Sequence, residues 1–313
     1  MIEEIYNGLE YVLHGDKKYR RFQVMFNHFL KKTPLKLFIE LTNDCNAHCT
    51  TCLNKDMKRK RGVMDFDFFK KLVDVSCTKK IGYVHLYGVG ESYIVSNVEM
   101  YFDYAIKKYS EYGVDTILTS NGEIISQIPS GISEVLISFN AGKKETYERI
   151  TGLNFNKTLQ NIYRLNETGQ LVDNVTIRML VSEETESEVD LFYDLFKHVD
   201  AHIELSYKYD NQHNAIDNKT IKKLAVKYDN RVACNYVTRG INVCWNGDVI
   251  LCPHDFEGEI CFGNLYNQTW DDILNSELRK KILNEHNNLI FTNLCKNCNY
   301  NVKYKAPFIK KLK

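Results

Sequence analysis

No apolar run in this 313-residue chain approaches the roughly 18 residues that a bilayer-spanning helix needs. The opening residues, MIEEIYNGLEYVL, place acids where an export signal would place bases. A cytoplasmic chain without a membrane contact is therefore expected. Charge imbalance is also missing: 41 Lys and Arg face 40 Asp and Glu, so the whole molecule offers no polyanion or nucleic-acid partner an attractive field. The segment Lys303–Lys313 carries five lysines, too few clustered contacts for phosphate binding by charge. Repeats and low-complexity stretches are absent as well. What remains is globular composition, 44% hydrophobic and 26% charged, at a length that suits one large domain with a smaller one. Against that background ten cysteines stand out. In a reducing compartment disulfides are disfavoured, and short cysteine spacings point to metal.

After Thr33-Pro34, apolar strand-like runs at Leu37–Leu41, Tyr83–Tyr87, Thr116–Thr119, Glu134–Phe139, Val175–Val181 and Ile203–Tyr207 alternate with helix-period stretches. The helical stretches are Phe66–Val75, Val98–Ser110, Lys144–Ile150 with Asn156–Thr168, and Glu186–Val199. Strands alternating with helices predict parallel βαβ units, an α/β fold whose chemistry sits at the C-terminal ends of the strands. Beyond about residue 209 the pattern breaks. Val232–Pro253 reads as strands around an Asn246-Gly247 hairpin turn, and Trp270–Asn284 reads as a helix. The expected division is an N-terminal helical extension at 1–34, a barrel unit at 35–209 and a cysteine-rich unit at 210–313.

Cys45-Asn-Ala-His-Cys49-Thr-Thr-Cys52 follows directly on the first strand. Three thiolates on one loop can bind three irons of a cubane and leave the fourth without a protein ligand. A zinc site borrowing His48, or three reduced core thiols, are the competing readings. Zinc prefers two separated ligand pairs, and a solvated loop is a poor place for core thiols.

CxxxCxxC after the first strand resembles the radical S-adenosylmethionine superfamily. The resemblance implies a partial (β/α)6 TIM-like barrel and S-adenosylmethionine bound through its amino and carboxylate groups to the open iron of a [4Fe–4S] cluster. Electron transfer from that cluster then yields a 5′-deoxyadenosyl radical that abstracts a substrate hydrogen. Gly88-Val-Gly90-Glu91 is similar to the family's glycine-rich motif, with Glu91 as an acceptor for the methionine ammonium. Thr119-Ser120-Asn121-Gly122 resembles its TNG turn, and Ser138-Phe139-Asn140 its ribose-contacting position. Arg178 on the fifth strand faces cofactor or substrate, or pairs a structural carboxylate. Three positions depart from the pattern: Thr51 where an aromatic residue is usual, Ser92 where proline is usual, and Thr151 where arginine often precedes glycine. The basic run Lys58–Arg61 reads as a solvated loop.

Cys234, Gly247 and Cys252 read C-x12-G-x4-C, and Cys295-Lys-Asn-Cys298 follows some forty residues later. Four thiolates suit zinc or a closed [4Fe–4S] cluster. The order resembles the SPASM/twitch domains of many radical S-adenosylmethionine enzymes, which implies one auxiliary [4Fe–4S] cluster. No further cysteine follows Cys298, which matches the shorter twitch form. Cys244 reads as buried, or as an alternative ligand or hydrogen-atom donor, and Cys77 and Cys261 as core.

A closed auxiliary cluster cannot hold the cofactor, so its work is electron transfer. The leading expectation is an oxidoreductase that dehydrogenates, or rearranges, a small polar hydroxylated substrate, as the resemblance to twitch-bearing aminocyclitol dehydrogenases implies. Its reducing partner is of the flavodoxin or ferredoxin kind. Candidate groups near the substrate are Arg178, His202, Tyr207 and Cys244. The alternative is a maturase that crosslinks, epimerises or oxidises a ribosomally made peptide, although 34 residues before the first strand are few for a leader-binding module. A non-catalytic iron–sulfur or zinc protein is the third reading, which a cofactor groove at Gly88–Glu91 argues against.

Overall fold

The computed structural model describes residues 35–172, 174–206, 231–296 and 298. The N-terminal extension, Tyr207, the stretch 207–230 and the lysine-bearing tail lie outside them.

The strands β1 (Leu35–Ile39), β2 (Ile81–His85), β3 (Asp115–Ser120), β4 (Glu134–Ser138), β5 (Val175–Leu180) and β6 (His202–Ser206) are parallel neighbours in chain order. The helices α1 (Phe66–Cys77), α2 (Val98–Glu111), α3 (Lys144–Thr151), α4 (Phe155–Glu167) and α5 (Val189–Phe196) connect them. Strand period 2 sorts the side chains. Leu37, Ile39, Val84, Leu86, Val135, Ile137, Ile177 and Met179 join Phe69, Phe102, Tyr109, Tyr147 and Phe192 in one buried core with the helices. The alternating positions, Lys36, Phe38 and Glu40 on β1 with Tyr83 and His85 on β2, belong to the opposite, inner face. Register carries that face around the sheet: Phe38 lies opposite His85, Ser138 opposite Arg178, and Arg178 opposite Glu204.

The cysteine-rich unit continues this sheet. A short helix α6 (Asn235–Thr238) precedes β7 (Gly240–Val243), which pairs in parallel with β1 on the side away from β2. Strands β8 (Asp248–Ile250) and β9 (Cys261–Asn264) follow antiparallel, giving nine strands ordered β6-β5-β4-β3-β2-β1-β7-β8-β9. Gly247 supplies the left-handed turn the hairpin needs, at φ 83°. The single helix expected over Trp270–Asn284 is two, α7 (Trp270–Leu274) and α8 (Glu277–Asn287), because Ser276 accepts the Arg279 N–H and restarts the helix. The expected helix from Glu186 begins with a 3₁₀ turn and becomes α5 only at Val189. Cys77 is buried as expected, whereas Cys261 is exposed on the edge strand β9, its thiol donating to the Gly263 carbonyl at 3.3 Å.

The basic run is the largest correction. Arg59 is not solvated: its guanidinium grips the Glu40 carboxylate through Nη1 at 2.9 Å and Nη2 at 2.8 Å. The side chains are only 11% and 6% exposed. Arg59 Nε donates to the Phe256 carbonyl, and the Lys58 and Arg59 N–H groups donate to the Glu257 carboxylate. Trp245, just past β7, donates its N–H to Glu40 and its indole N–H to the Lys60 carbonyl. Gly62 is glycine because a Cβ there would sit 2.4 Å from the Trp245 ring. This segment therefore fastens the end of β1 to the cysteine-rich hairpin. Removing one partner of a buried ion pair strands the other, so Glu40→Ala should lower the unfolding free energy by about 3–5 kcal/mol in urea denaturation. The double variant Glu40→Ala/Arg59→Ala should cost less than the two singles added together. A loss below about 0.5 kcal/mol for Glu40→Ala would show that the fastening lies elsewhere.

Candidate active site and second thiol centre

The thiol loop leaves the C-terminal end of β1 and is held from three sides. Asn54 donates to the carbonyls of Asn43 at 2.9 Å and Val89 at 2.6 Å. Arg61 bonds the Asn43 carbonyl and both the side-chain and backbone oxygens of Asn54. The His48 and Thr50 N–H groups donate to the carbonyls of Thr151 and Ile150, each at 2.8 Å. The chain reverses at Gly152, φ 71°, directly over His48. Cys45, Cys49 and Cys52 are thus presented by a loop whose own backbone is fixed.

The sulfurs attract N–H donors. Ala47 N–H points at Cys45 Sγ from 3.4 Å, Asn54 N–H at Cys52 Sγ from 3.5 Å, and the Asn121 amide at Cys45 Sγ from 4.0 Å. Burial pushes the Cys45 thiol up to about 11; the Ala47 N–H opposes this, and the nearby Glu91 and Cys52 add to it. Without a cation nearby the buried thiol therefore keeps its proton, and a bound metal would hold the sulfurs as thiolates. Among the described residues no three of His, Cys, Asp and Glu approach closely enough to share one metal ion. A cubane instead spreads its thiolates over separate irons. The donor set fits an iron–sulfur cluster.

Gly88-Val-Gly90-Glu91 follows β2. A Cβ on Gly90 would lie 2.3 Å from the Thr42 carbonyl oxygen, and one on Gly88 2.6 Å from Glu40 Cβ. Both glycines are dictated by contact with the segment leaving β1. Glu91 is 3% exposed. Its carboxylate accepts N–H groups from Asn121 at 2.7 Å and Tyr93 at 3.3 Å, while its own N–H donates to the Asp44 carbonyl. Burial raises its carboxyl to about 7 despite those donors and the Ser120 hydroxyl. Asn121 links the neighbourhood further, donating to Asn46 at 2.8 Å. The structure therefore brings Cys45, Gly88, Gly90, Glu91, Ser120 and Asn121 to one end of the sheet.

Ser138 and Asn140 end β4 beside β5, where Asn140 Oδ1 accepts the Leu180 N–H at 3.0 Å. That oxygen is already engaged. Arg178 pairs with Glu204 through one contact of 3.1 Å, and Arg178 Nε and Glu204 Oε1 are buried with no hydrogen-bond partner. His202 stands lower on β6, opposite Thr176. Cys244 is 2% exposed and packed in the hairpin beside Glu40 and Arg59.

A second set of thiols gathers behind β7. Cys234 precedes α6, Cys252 follows β8, and Cys295 and Cys298 sit on a 3₁₀ turn and just beyond it. Cys252 feels Cys234 and Cys295 electrostatically, and Cys295 feels Cys234 and Cys298, so four thiols from three chain segments share one neighbourhood. An all-thiol set of four fits a fully ligated cluster.

The inner face around β1 and β2 is aromatic. Phe38 stacks on His85 with centroids 4.4 Å apart and planes 5° apart. Tyr83 and Tyr87 meet His85 edge-on, and Tyr236 meets Phe38 at 5.5 Å and His254 at 5.5 Å. Burial, helped by Lys36, pushes the His85 imidazole down to about 3, so it stays neutral. Sequence reasoning missed this wall, the Glu40–Arg59 clasp and Glu204. Alternation at Lys36-Leu-Phe38 and Tyr83-Val-His85 was the available signal for the first. Nothing local marks the others, because their partners lie far away in the chain.

Comparison with known proteins agrees with this geometry. The radical SAM superfamily matches residues 39–196, and an iron–sulfur cluster-binding domain matches residues 234–299. A Pyrococcus furiosus protein described as a tungsten-containing aldehyde ferredoxin oxidoreductase cofactor-modifying protein is 23% identical over 292 residues, spanning 77% of this chain and 81% of its own. The fold resembles that of BtrN in complex with AdoMet and 2-DOIA, with a TM-score of 0.55 and 18% identity over 86% of this chain and 94% of that one. It also resembles Streptococcus suis SuiB bound to precursor peptide SuiA, with a TM-score of 0.61 and 12% identity over 84% and 70%. No helix among the described residues is long and apolar enough to cross a membrane. With half of its length matched by that superfamily alone, the chain belongs to the radical SAM enzymes, whose cofactors are S-adenosylmethionine and a [4Fe–4S] cluster, and it carries an iron–sulfur cluster-binding domain behind the barrel.

Proposed function

We propose that this enzyme oxidises a small polar hydroxylated substrate. In this reading Cys45, Cys49 and Cys52 hold the cluster that engages S-adenosylmethionine, and Cys234, Cys252, Cys295 and Cys298 hold one auxiliary [4Fe–4S] cluster. When bound, the first cluster and S-adenosylmethionine supply one-electron cleavage and a hydrogen-abstracting 5′-deoxyadenosyl radical. The chain's own residues do the positioning. Gly88 and Gly90 let their backbone close on the segment leaving β1, Glu91 would accept from the cofactor's amino group, and Ser120, Asn121, Ser138 and Asn140 would line the nucleoside side. Arg178 with Glu204 faces either the cofactor carboxylate or the substrate. The substrate loses a hydrogen atom, then a proton and an electron, a net two-electron oxidation that needs an acceptor inside the protein.

The observation that carries this reading is the four-thiol neighbourhood. A centre saturated by four cysteines has no vacancy for a substrate, which leaves electron transfer as its work. Peptide modification is the second reading, favoured by the likeness to SuiB, whose structure holds a precursor peptide. A flavodoxin or ferredoxin would serve as reductant in either case.

Anaerobically reconstituted protein given dithionite and S-adenosylmethionine should release 5′-deoxyadenosine, read by chromatography, and Cys49→Ala should bring release down to background. Undiminished release from that variant would remove the thiol loop from the chemistry. Cofactor affinity should also follow pH. The buried Glu91 carboxyl, raised to about 7, is neutral below that value and accepts N–H bonds from the cofactor's amino group more weakly than the carboxylate does. An amino group that coordinates an iron is already neutral, so binding should strengthen as pH rises through about 7 and show no loss on the alkaline side. Calorimetry on the reconstituted protein should show that Glu91→Gln weakens binding by about 10- to 100-fold and flattens the acid limb. An unchanged acid limb in Glu91→Gln would take Glu91 out of the cofactor site.

A further inference from the structure

Arg231 lies three residues before Cys234 and reaches across to the last cysteine pair. Its guanidinium donates through Nη1 to the Lys296 carbonyl at 3.0 Å, and through Nη2 to the carbonyls of Cys295 and Cys298, the latter at 3.1 Å. The same group lies 3.9 Å over the Phe291 ring. Phe291 meets His286 edge-on at 5.2 Å, and His286, 2% exposed, accepts the Cys234 N–H through Nδ1 at 3.4 Å. One side chain thus gathers three carbonyls of the CxxC knuckle and, through two rings that meet edge-on, returns to the backbone of Cys234. Only a planar fork with several donors makes that set of bonds; an ammonium offers the same charge without the geometry.

The charge matters as much as the fork. A cubane held by four thiolates is a net anion and gains a further negative charge on reduction. A fixed guanidinium close by therefore stabilises the reduced form more than the oxidised one. We propose that Arg231 is a positioning residue of the second thiol centre, docking Cys295 and Cys298 against Cys234 and raising the reduction potential of the cluster held there. This inference rests on the assignment of Cys234, Cys252, Cys295 and Cys298 to an auxiliary cluster.

The test compares anaerobically reconstituted wild type with R231K and R231M, measuring iron, acid-labile sulfide and the midpoint of the EPR signal that S-adenosylmethionine does not perturb. Wild type should hold about eight irons per chain in two cubanes. R231M should fall toward about four, and its residual signal should shift about tenfold toward the oxidised form, about 59 mV more negative for one electron. R231K should lose iron in the same direction while keeping a midpoint near that of wild type. R231M with undiminished iron and an unchanged midpoint would overturn the role of Arg231. Wild type with about four irons and no signal indifferent to S-adenosylmethionine would instead overturn the cluster assignment, and the proposal with it.

Discussion

The Glu40–Arg59 ion pair is the fixed point on which both thiol centres depend. Glu40 ends β1, where the thiol loop departs. Arg59 reaches it from the far side of that loop and also holds Phe256, while Trp245 joins from the end of β7. Two charges at such depth are costly to desolvate and are tolerated only with good geometry and additional hydrogen bonds. Here the pair is bidentate, Glu40 accepts a further N–H and Arg59 donates a further bond, so the requirement is met. The consequence is rigidity shared between chain segments some 200 residues apart. Gly88 has to be small because it packs on Glu40 itself, which brings the cofactor-binding turn into the same clasp.

β1 is accordingly the hub of the molecule. On one side β2 leads to Gly88–Glu91; on the other, β7 is hydrogen-bonded along its length. The second centre is therefore not a bead on a linker. Cys234 enters it just before α6, and Gly240 starts β7 so tightly against α6 that a Cβ would lie 2.1 Å from the Tyr236 carbonyl oxygen. The distance from barrel to second centre is set by a continuous sheet, and a sheet yields little to thermal motion compared with a loop.

Much of this was legible in the chain. Period-2 apolar runs at Leu37–Leu41 and Val175–Val181 located the strands within two residues, and the Asn246-Gly247 turn located the hairpin. Those signals are local and physical: alternation, caps and left-handed glycines. The cysteine spacings announced two thiol sets because ligand chemistry leaves few other uses for such spacing. What stayed hidden involved partners distant in sequence. Lys58–Arg61 looks solvated because a basic run usually is, and only the fold reveals that Arg59 meets Glu40. The sharing of one sheet by two apparent units was hidden for the same reason, since a short strand such as Gly240–Val243 does not announce which edge it joins.

The aromatic inner wall bears on where a proton and an electron would go in the proposed oxidation. Within the wall, burial holds the His85 imidazole at about 3, so at neutral pH it has no tendency to take a proton. Glu204 on β6 is a carboxylate already tied to Arg178 by one oxygen and with the other unengaged. Phe38 and Tyr236 continue from His85 towards Cys234 and His254 without an ionisable carboxylate among them. In the proposed oxidation a proton would find a partner on β5 and β6, where Glu204 keeps one oxygen unengaged, and none at the neutral His85 ring.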